Sequence, residues 1–185
     1  MMYQRGVRAT SLDDVLAQSG CGKSQLYHYF SDKADLVGAV VERQAEFVLA
    51  AQPGLAQIES WATFDAWLDG IVAMHSAPGG PFACPLGTLA LELKDDESHR
   101  SRLEAGFGRW IALLTEGLQK MRECGELTAD ADLDRLAANV IAALQGGMLV
   151  GRVRADVTPM RDAAESAKTQ LRRWHPAAVA EHPIR

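Results

Sequence analysis

Apolar residues recur three and four positions apart along almost the whole chain, and no stretch alternates with period two. Leu12, Val15, Leu16 and Ser19 share one helical face, and Leu36, Val37, Val40, Val41, Phe47 and Val48 form a longer stripe. Further stripes run through Trp61, Phe64, Leu68, Ile71 and Val72, and through Leu103, Phe107, Trp110, Leu114, Leu118 and Met121. Leu133, Leu136, Val140, Leu144 and Met148 follow, then Met160, Ala164, Ala167, Leu171 and Trp174. Each is the buried stripe of an amphipathic helix. The chain is therefore expected to be all-α, with an N-terminal helix-turn-helix ahead of a helical bundle.

The breaks between stripes agree with this. Gly20 to Gly22, Pro53-Gly54, Pro78 to Pro81, Gly125 and Asp156 to Thr158 interrupt the periodicity. Thr10 or Ser11 can cap a helix whose first turn carries Asp13 and Asp14, and Ser31 can cap one that begins at Asp32. Pro85 and Pro159 suit a first helical turn. Residues 176–185 read as a short frayed tail.

Composition narrows the function. The 185 residues are 48% hydrophobic and 23% charged, with a net charge of −5, so nucleic-acid binding would need a local basic surface. Three separated cysteines, Cys21, Cys84 and Cys124, suggest neither a disulfide framework nor a zinc site. No apolar run approaches the ~20 residues that span a bilayer, and no apolar signal stretch opens the chain. A cytoplasmic protein without metal or cofactor is expected.

The segment CGKSQLYHYF, Cys21 to Phe30, is rich in hydrogen-bond donors. A short helix over residues 11–19, a glycine turn and a second short helix over residues 23–30 make a helix-turn-helix. Leu26 and Phe30 fold back on Val15 and Leu16, leaving Lys23, Ser24, Gln25, Tyr27, His28 and Tyr29 outside. The second helix of such a motif enters the major groove. Gln25 suits an adenine and Lys23 a guanine or phosphate, while tyrosine hydroxyls suit phosphates. Residues 1–33 carry four basic side chains against three acidic ones, but residues 15–31 contain no carboxylate.

The stretch GVRATSLDDVLAQSGCGKSQLYHYFSDKADLVGAVV resembles the DNA-binding segment of the TetR family of bacterial repressors. Gly6, Thr10, the turn at Gly20, the LYHYF core from Leu26 to Phe30, Lys33 and Leu36 carry that resemblance. It implies that Thr10, Lys23, Ser24, Gln25, Tyr27, His28, Tyr29 and Lys33 face DNA. The family has a full helix before Gly6, where Met1 to Arg5 stand here, so two expectations follow. One is a repressor; the other is a dimeric small-molecule-binding protein that does not grip DNA.

Beyond residue 45 the stretches FACPLGTLALEL, GFGRWIALLTEGLQKMRECGEL and AALQGGMLVGRVR resemble the drug- and flavonoid-responsive branch of TetR regulatory domains. Residues 46–175 are expected to form that domain, after a DNA-binding domain over residues 1–45. Helices with bulky residues on two faces must bury both, in core or around a cavity. The candidate ligand residues are Trp61, Phe64, Trp67, Met74, Phe82, Cys84, Phe107, Trp110, Gln145 and Met148, with His75 as a further polar group. Small residues let helices approach closely, and in the resembled family the last two helices build the dimer. Leu136, Val140, Leu144, Gly147, Gly151, Ala163, Ala167 and Leu171 are therefore expected at a homodimer interface, with close packing inside one subunit as the alternative for the glycines. No convergent catalytic set is visible, and His75, Glu92 and His99 lack metal-ligand spacing. The expected function is repression at a palindromic operator, relieved by a small apolar or aromatic effector.

Overall fold

A computed structural model of the chain describes residues 1–77 and 83–181. It contains helices and no strand among the described residues. In order they are α1 (Met2–Arg5), α2 (Leu12–Ser19), α3 (Lys23–Tyr29), α4 (Lys33–Ala50), a 3-10 helix (Pro53–Gln57), α5 (Trp61–Ser76), α6 (Pro85–Glu92), α7 (Glu97–Glu123), α8 (Leu133–Arg154), α9 (Thr158–Arg172) and α10 (Pro176–Glu181). The segment expected as a frayed tail thus opens as a short helix.

Two compact units share the chain. The first joins Met1–Val48 to Pro85–Phe107, and the second joins Leu49–Cys84 to Gly108–Arg185. Grouping α6 and the first half of α7 with the N-terminal segment depends on contacts distant in sequence.

In the first unit, α4 buries Leu36, Val37, Gly38, Val41, Ala45 and Val48. Phe47, expected in that stripe, is exposed, because the buried face turns through Ala45 instead. Two glycines permit the close packing. A Cβ on Gly38 would lie 2.7 Å from the Arg102 guanidinium carbon, and one on Gly106 would lie 3.1 Å from the Ala45 Cβ. Arg102 Nε donates to Glu42 at 3.0 Å across the α7–α4 contact. The backbone N–H of Val7 donates to Glu92 Oε2 at 2.6 Å, tying the turn after α1 to the end of α6.

In the second unit, Phe64, Leu68, Ile71, Trp110, Leu114, Leu118, Met121 and Leu144 are buried together with Leu55 and Ile58. Gly117 is needed where a Cβ would meet that of Ile58 at 2.7 Å. An antiparallel charge ladder joins α5 to α9, with Asp65 paired to Arg172 and Asp69 to Lys168. Burial pulls the Lys168 ammonium down, but its hydrogen bonds to Asp69 (2.6 Å) and Glu165 (2.9 Å) outweigh that and hold it above the ordinary lysine value. By length and composition α8 could cross a bilayer. Its apolar character has a local use: Leu133, Ala137, Val140, Ile141, Leu144, Gly147, Met148 and Gly151 are buried within the chain.

Candidate functional site

The helix-turn-helix is built by local chemistry. Ser11, not Thr10, caps α2: its hydroxyl accepts from the Asp14 N–H at 3.1 Å, and Asp14 accepts from the Ser11 N–H at 2.8 Å. The Asp14 carboxyl is held below its ordinary value first by the Ser11 hydroxyl, which donates to it at 2.5 Å, and then by that Ser11 N–H. Gly20 ends the helix in the left-handed conformation, with φ +69°, and its N–H donates to Leu16. Gly22 leads into α3, and Phe30 leaves it in an extended conformation. At the next start Asp32, not Ser31, accepts from the Asp35 N–H at 2.8 Å, so α4 begins at Lys33.

Only Leu26 of α3 is buried. Lys23, Ser24, Gln25, Tyr27, His28 and Tyr29 all lie exposed, Tyr29 at 68%. Among the described residues, none of their side chains makes a hydrogen bond or an ion pair. Lys23 Nζ lies 6.0 Å from the Tyr27 ring centre, and the His28 and Tyr29 rings meet edge-on at 5.1 Å. The result is one short helix presenting an ammonium, two phenols, an amide, a hydroxyl and an imidazole, with no carboxylate of its own.

Two expected contact residues sit differently. Thr10 is only 1% exposed, and its hydroxyl donates to the Gly6 carbonyl at 2.8 Å. It braces the left-handed Gly6 turn (φ +94°) and is not available to DNA. Lys33 is half-buried and lines a groove of about 720 Å³. There Lys33 and Arg8 share the lining with Asp95, Asp96 and Glu97.

Among the described residues, the expected ligand residues take different surroundings. Phe64, Trp67, Trp110 and Met148 are buried, as is Cys84. Trp61 is half-buried against the Arg172 guanidinium, 5.6 Å from its ring centre. Phe107 falls in the first unit, beside a small groove with Ala90 and Leu103. Phe82 lies outside the described residues. Trp67 and Met74 line a common groove of about 270 Å³, between the 3-10 helix and α5. His75 Nδ1, Trp110 Nε1, Thr115 Oγ1 and Gln145 Nε2 are buried without a hydrogen-bond partner among the described residues. Burial alone pushes the His75 imidazole below its ordinary range.

The expected dimer residues are largely spent inside the chain. Val140, Leu144, Gly147, Gly151, Ala167 and Leu171 are buried, and Leu136 and Ala163 half-buried, without any partner molecule. A Cβ on Gly147 would lie 2.8 Å from the Met160 Cα and 2.9 Å from the Ala163 Cβ. The small residues thus let α9 sit on α8. On the opposite face of α8, Leu149, Val150 and Val153 are exposed, Val153 at 81%. With the exposed Ala142 and Gly146 they repeat the three-and-four spacing, a second stripe that was legible in the sequence.

Comparison with known proteins places these features in a family. Residues 1–40 match the model "Bacterial regulatory proteins, tetR family", and residues 54–167 match "Tetracyclin repressor-like, C-terminal domain". An uncharacterised HTH-type transcriptional regulator of Lactococcus lactis subsp. lactis is 28% identical over 175 residues, covering 92% of this chain and 87% of that protein. The transcriptional regulator AcuR of Cereibacter sphaeroides is 25% identical, over 86% of this chain and 74% of its own. Among solved structures, reduced Escherichia coli NemR superposes with a TM-score of 0.80 at 25% identity, over 91% of this chain and 89% of its own. The chain belongs to the TetR family of bacterial transcriptional regulators.

Proposed function

We propose that this DNA-binding regulator acts as a repressor, gripping a roughly palindromic operator as a homodimer and releasing it when a small effector binds the second unit. The observation that carries the reading is the surface of α3, six exposed polar or aromatic side chains without a hydrogen-bond or ion-pair partner among the described residues. In a helix-turn-helix these meet base edges and phosphates, and two-fold related copies reach half-sites about 34–36 Å apart. The exposed α8 stripe of Leu149, Val150 and Val153 supports association of two copies. Buried donors without partners, Trp110 Nε1 and Gln145 Nε2, support an effector, since such groups call for a water or ligand. An effector relieves repression by favouring the form that does not bind DNA, typically by ~1–3 kcal/mol of coupling.

A second reading, a dimeric ligand-binding protein that does not grip DNA, draws on α2, which has no fully buried residue. The test is selection from a pool of random duplexes at two salt concentrations. Recovery of a palindromic site with a steep salt slope supports the repressor. Weak, sequence-blind binding by a soluble dimer rejects it in favour of the second reading.

A further inference from the structure

We infer that the groove lined by Arg8, Lys33, Asp96 and His99 in the first unit is a binding site for a small aliphatic zwitterion whose ammonium and carboxylate stand apart, an ω-amino acid by class. The inference goes beyond the repressor reading and does not depend on it. Three features of the groove specify the ligand.

The first is charge left unmatched in both signs. Arg8 and Lys33 line the groove, and among the described residues neither side chain makes a hydrogen bond or an ion pair. Carboxylates line it too, but most are engaged by their neighbours. Asp95 is offset by Lys94 at 2.9 Å and Glu97 by Arg100 at 2.5 Å, both cations from outside the groove's free pair. Glu92 spends Oε2 on the Val7 N–H. Asp96 Oδ1 accepts from the Ser98 hydroxyl at 2.5 Å and the Ser98 N–H at 3.0 Å, which in that order hold its carboxyl below the ordinary range. Asp96 is therefore ionised at neutral pH, with Oδ2 outside those two bonds. A simple cation would suit Asp96 but meet Arg8 and Lys33, and a simple anion would suffer the reverse. A ligand carrying both charges satisfies both.

The second is a buried ring without partners. His99 lines the groove at only 2% exposure, and its Nδ1 has no hydrogen-bond partner among the described residues. Its Nε2 lies 3.7 Å from Asp96 Oδ2, too far for a hydrogen bond. Buried polar groups left this way call for a water or a polar guest. A neutral imidazole offers one acceptor nitrogen and an ammonium three donors, so a single ammonium serves the ring and Asp96 Oδ2 together.

The third is the floor. Val7, Val37 and Leu93 are buried and line the same groove, which suits a methylene chain. An α-amino acid carries its two charges on one carbon. Here neither Arg8 nor Lys33 stands within ion-pair distance of a groove carboxylate, so reaching both signs takes a ligand with separated ends. A groove of about 720 Å³ has room for such a chain.

The probes are 6-aminohexanoate, its isomer 2-aminohexanoate, hexylamine and hexanoate, titrated into the full chain by calorimetry at about pH 7.5. Wild type is expected to bind 6-aminohexanoate at least about fivefold more tightly than each of the other three. Arg8→Gln and Asp96→Asn, both at exposed positions, are each expected to weaken 6-aminohexanoate about fivefold with little change in Tm. The asparagine keeps an oxygen for Ser98, and if Tm nonetheless falls, Arg8→Gln alone decides. Asp130→Asn, an exposed carboxylate in the second unit, should leave the affinity as it was.

Equal affinity for the two isomers, equal affinity for hexylamine or hexanoate, or no binding of 6-aminohexanoate at about 10 mM overturns the site. So does binding that Arg8→Gln leaves unchanged. Selection from the duplex pool is read separately, so failure of this site leaves the repressor standing, and failure of the repressor leaves this site to its own titration.

Discussion

Single positions fix how closely the helices of the second unit approach. Gly147→Ala gains some helix propensity but drives its Cβ to 2.8 Å from the Met160 backbone. Overpacking of this kind costs about 1–3 kcal/mol, so the net change is a loss, read as a lower midpoint in urea. Ala155 holds φ at +52° as the C-cap of α8, a left-handed conformation that costs a side chain about 1–2 kcal/mol. Ala155→Gly is expected to recover much of that and to raise Tm by a few degrees. His75 sets a pH dependence at the same scale. Its folded-state value lies below the ordinary 6.5 because it is buried, so in the window beneath 6.5 the unfolded chain binds more protons. Stability from this group is therefore full above that value and declines as pH falls below it. Unfolding curves between about pH 7.5 and 5.5 should show a shallower decline in His75→Leu than in wild type.

At the scale of elements, the recognition helix is the part most legible in the sequence. The alternation of Leu26 with outward polar neighbours follows from helical geometry alone, and the Gly20 turn from its freedom at positive φ. Lys23→Ala should weaken binding to all duplexes alike and reduce the salt slope by about 1. Gln25→Ala should cost about 1–3 kcal/mol on the selected site and relax preference at one base pair, measured by competition between operator variants. Thr10 shows the limit of reading along the chain. A threonine before a helix looks like a cap or a phosphate contact until Gly6 is seen to place its carbonyl 2.8 Å away.

For the whole molecule, the prediction concerns assembly. If the outer stripe of α8 joins two copies, Leu149→Glu with Val153→Glu should convert a dimer to a monomer in sedimentation. Little change in the fold is expected, since both residues are exposed within one chain. Gly147→Ala, by contrast, acts inside the chain and should not change the oligomeric state selectively. The glycines and alanines of α8 and α9 were readable as a close-approach surface. Which helix they approach was not, because small residues look the same in sequence whether the neighbour is the same chain or another.

Local sequence is enough to specify the helices, most of their boundaries and turns, and the polar face of α3. These depend on neighbours within about four residues, where side-chain periodicity and backbone preference act directly. Packing settles which apolar stripe is core and which is surface, as with Phe47 and Val153. It also brings Trp61, Phe64 and Trp67 into ring contact along α5, and opens a charge-free groove beside Trp67. Those outcomes rest on contacts between residues far apart in the chain, such as Gly147 with Met160 and Gln52 with Trp67, whose partners local pattern does not specify.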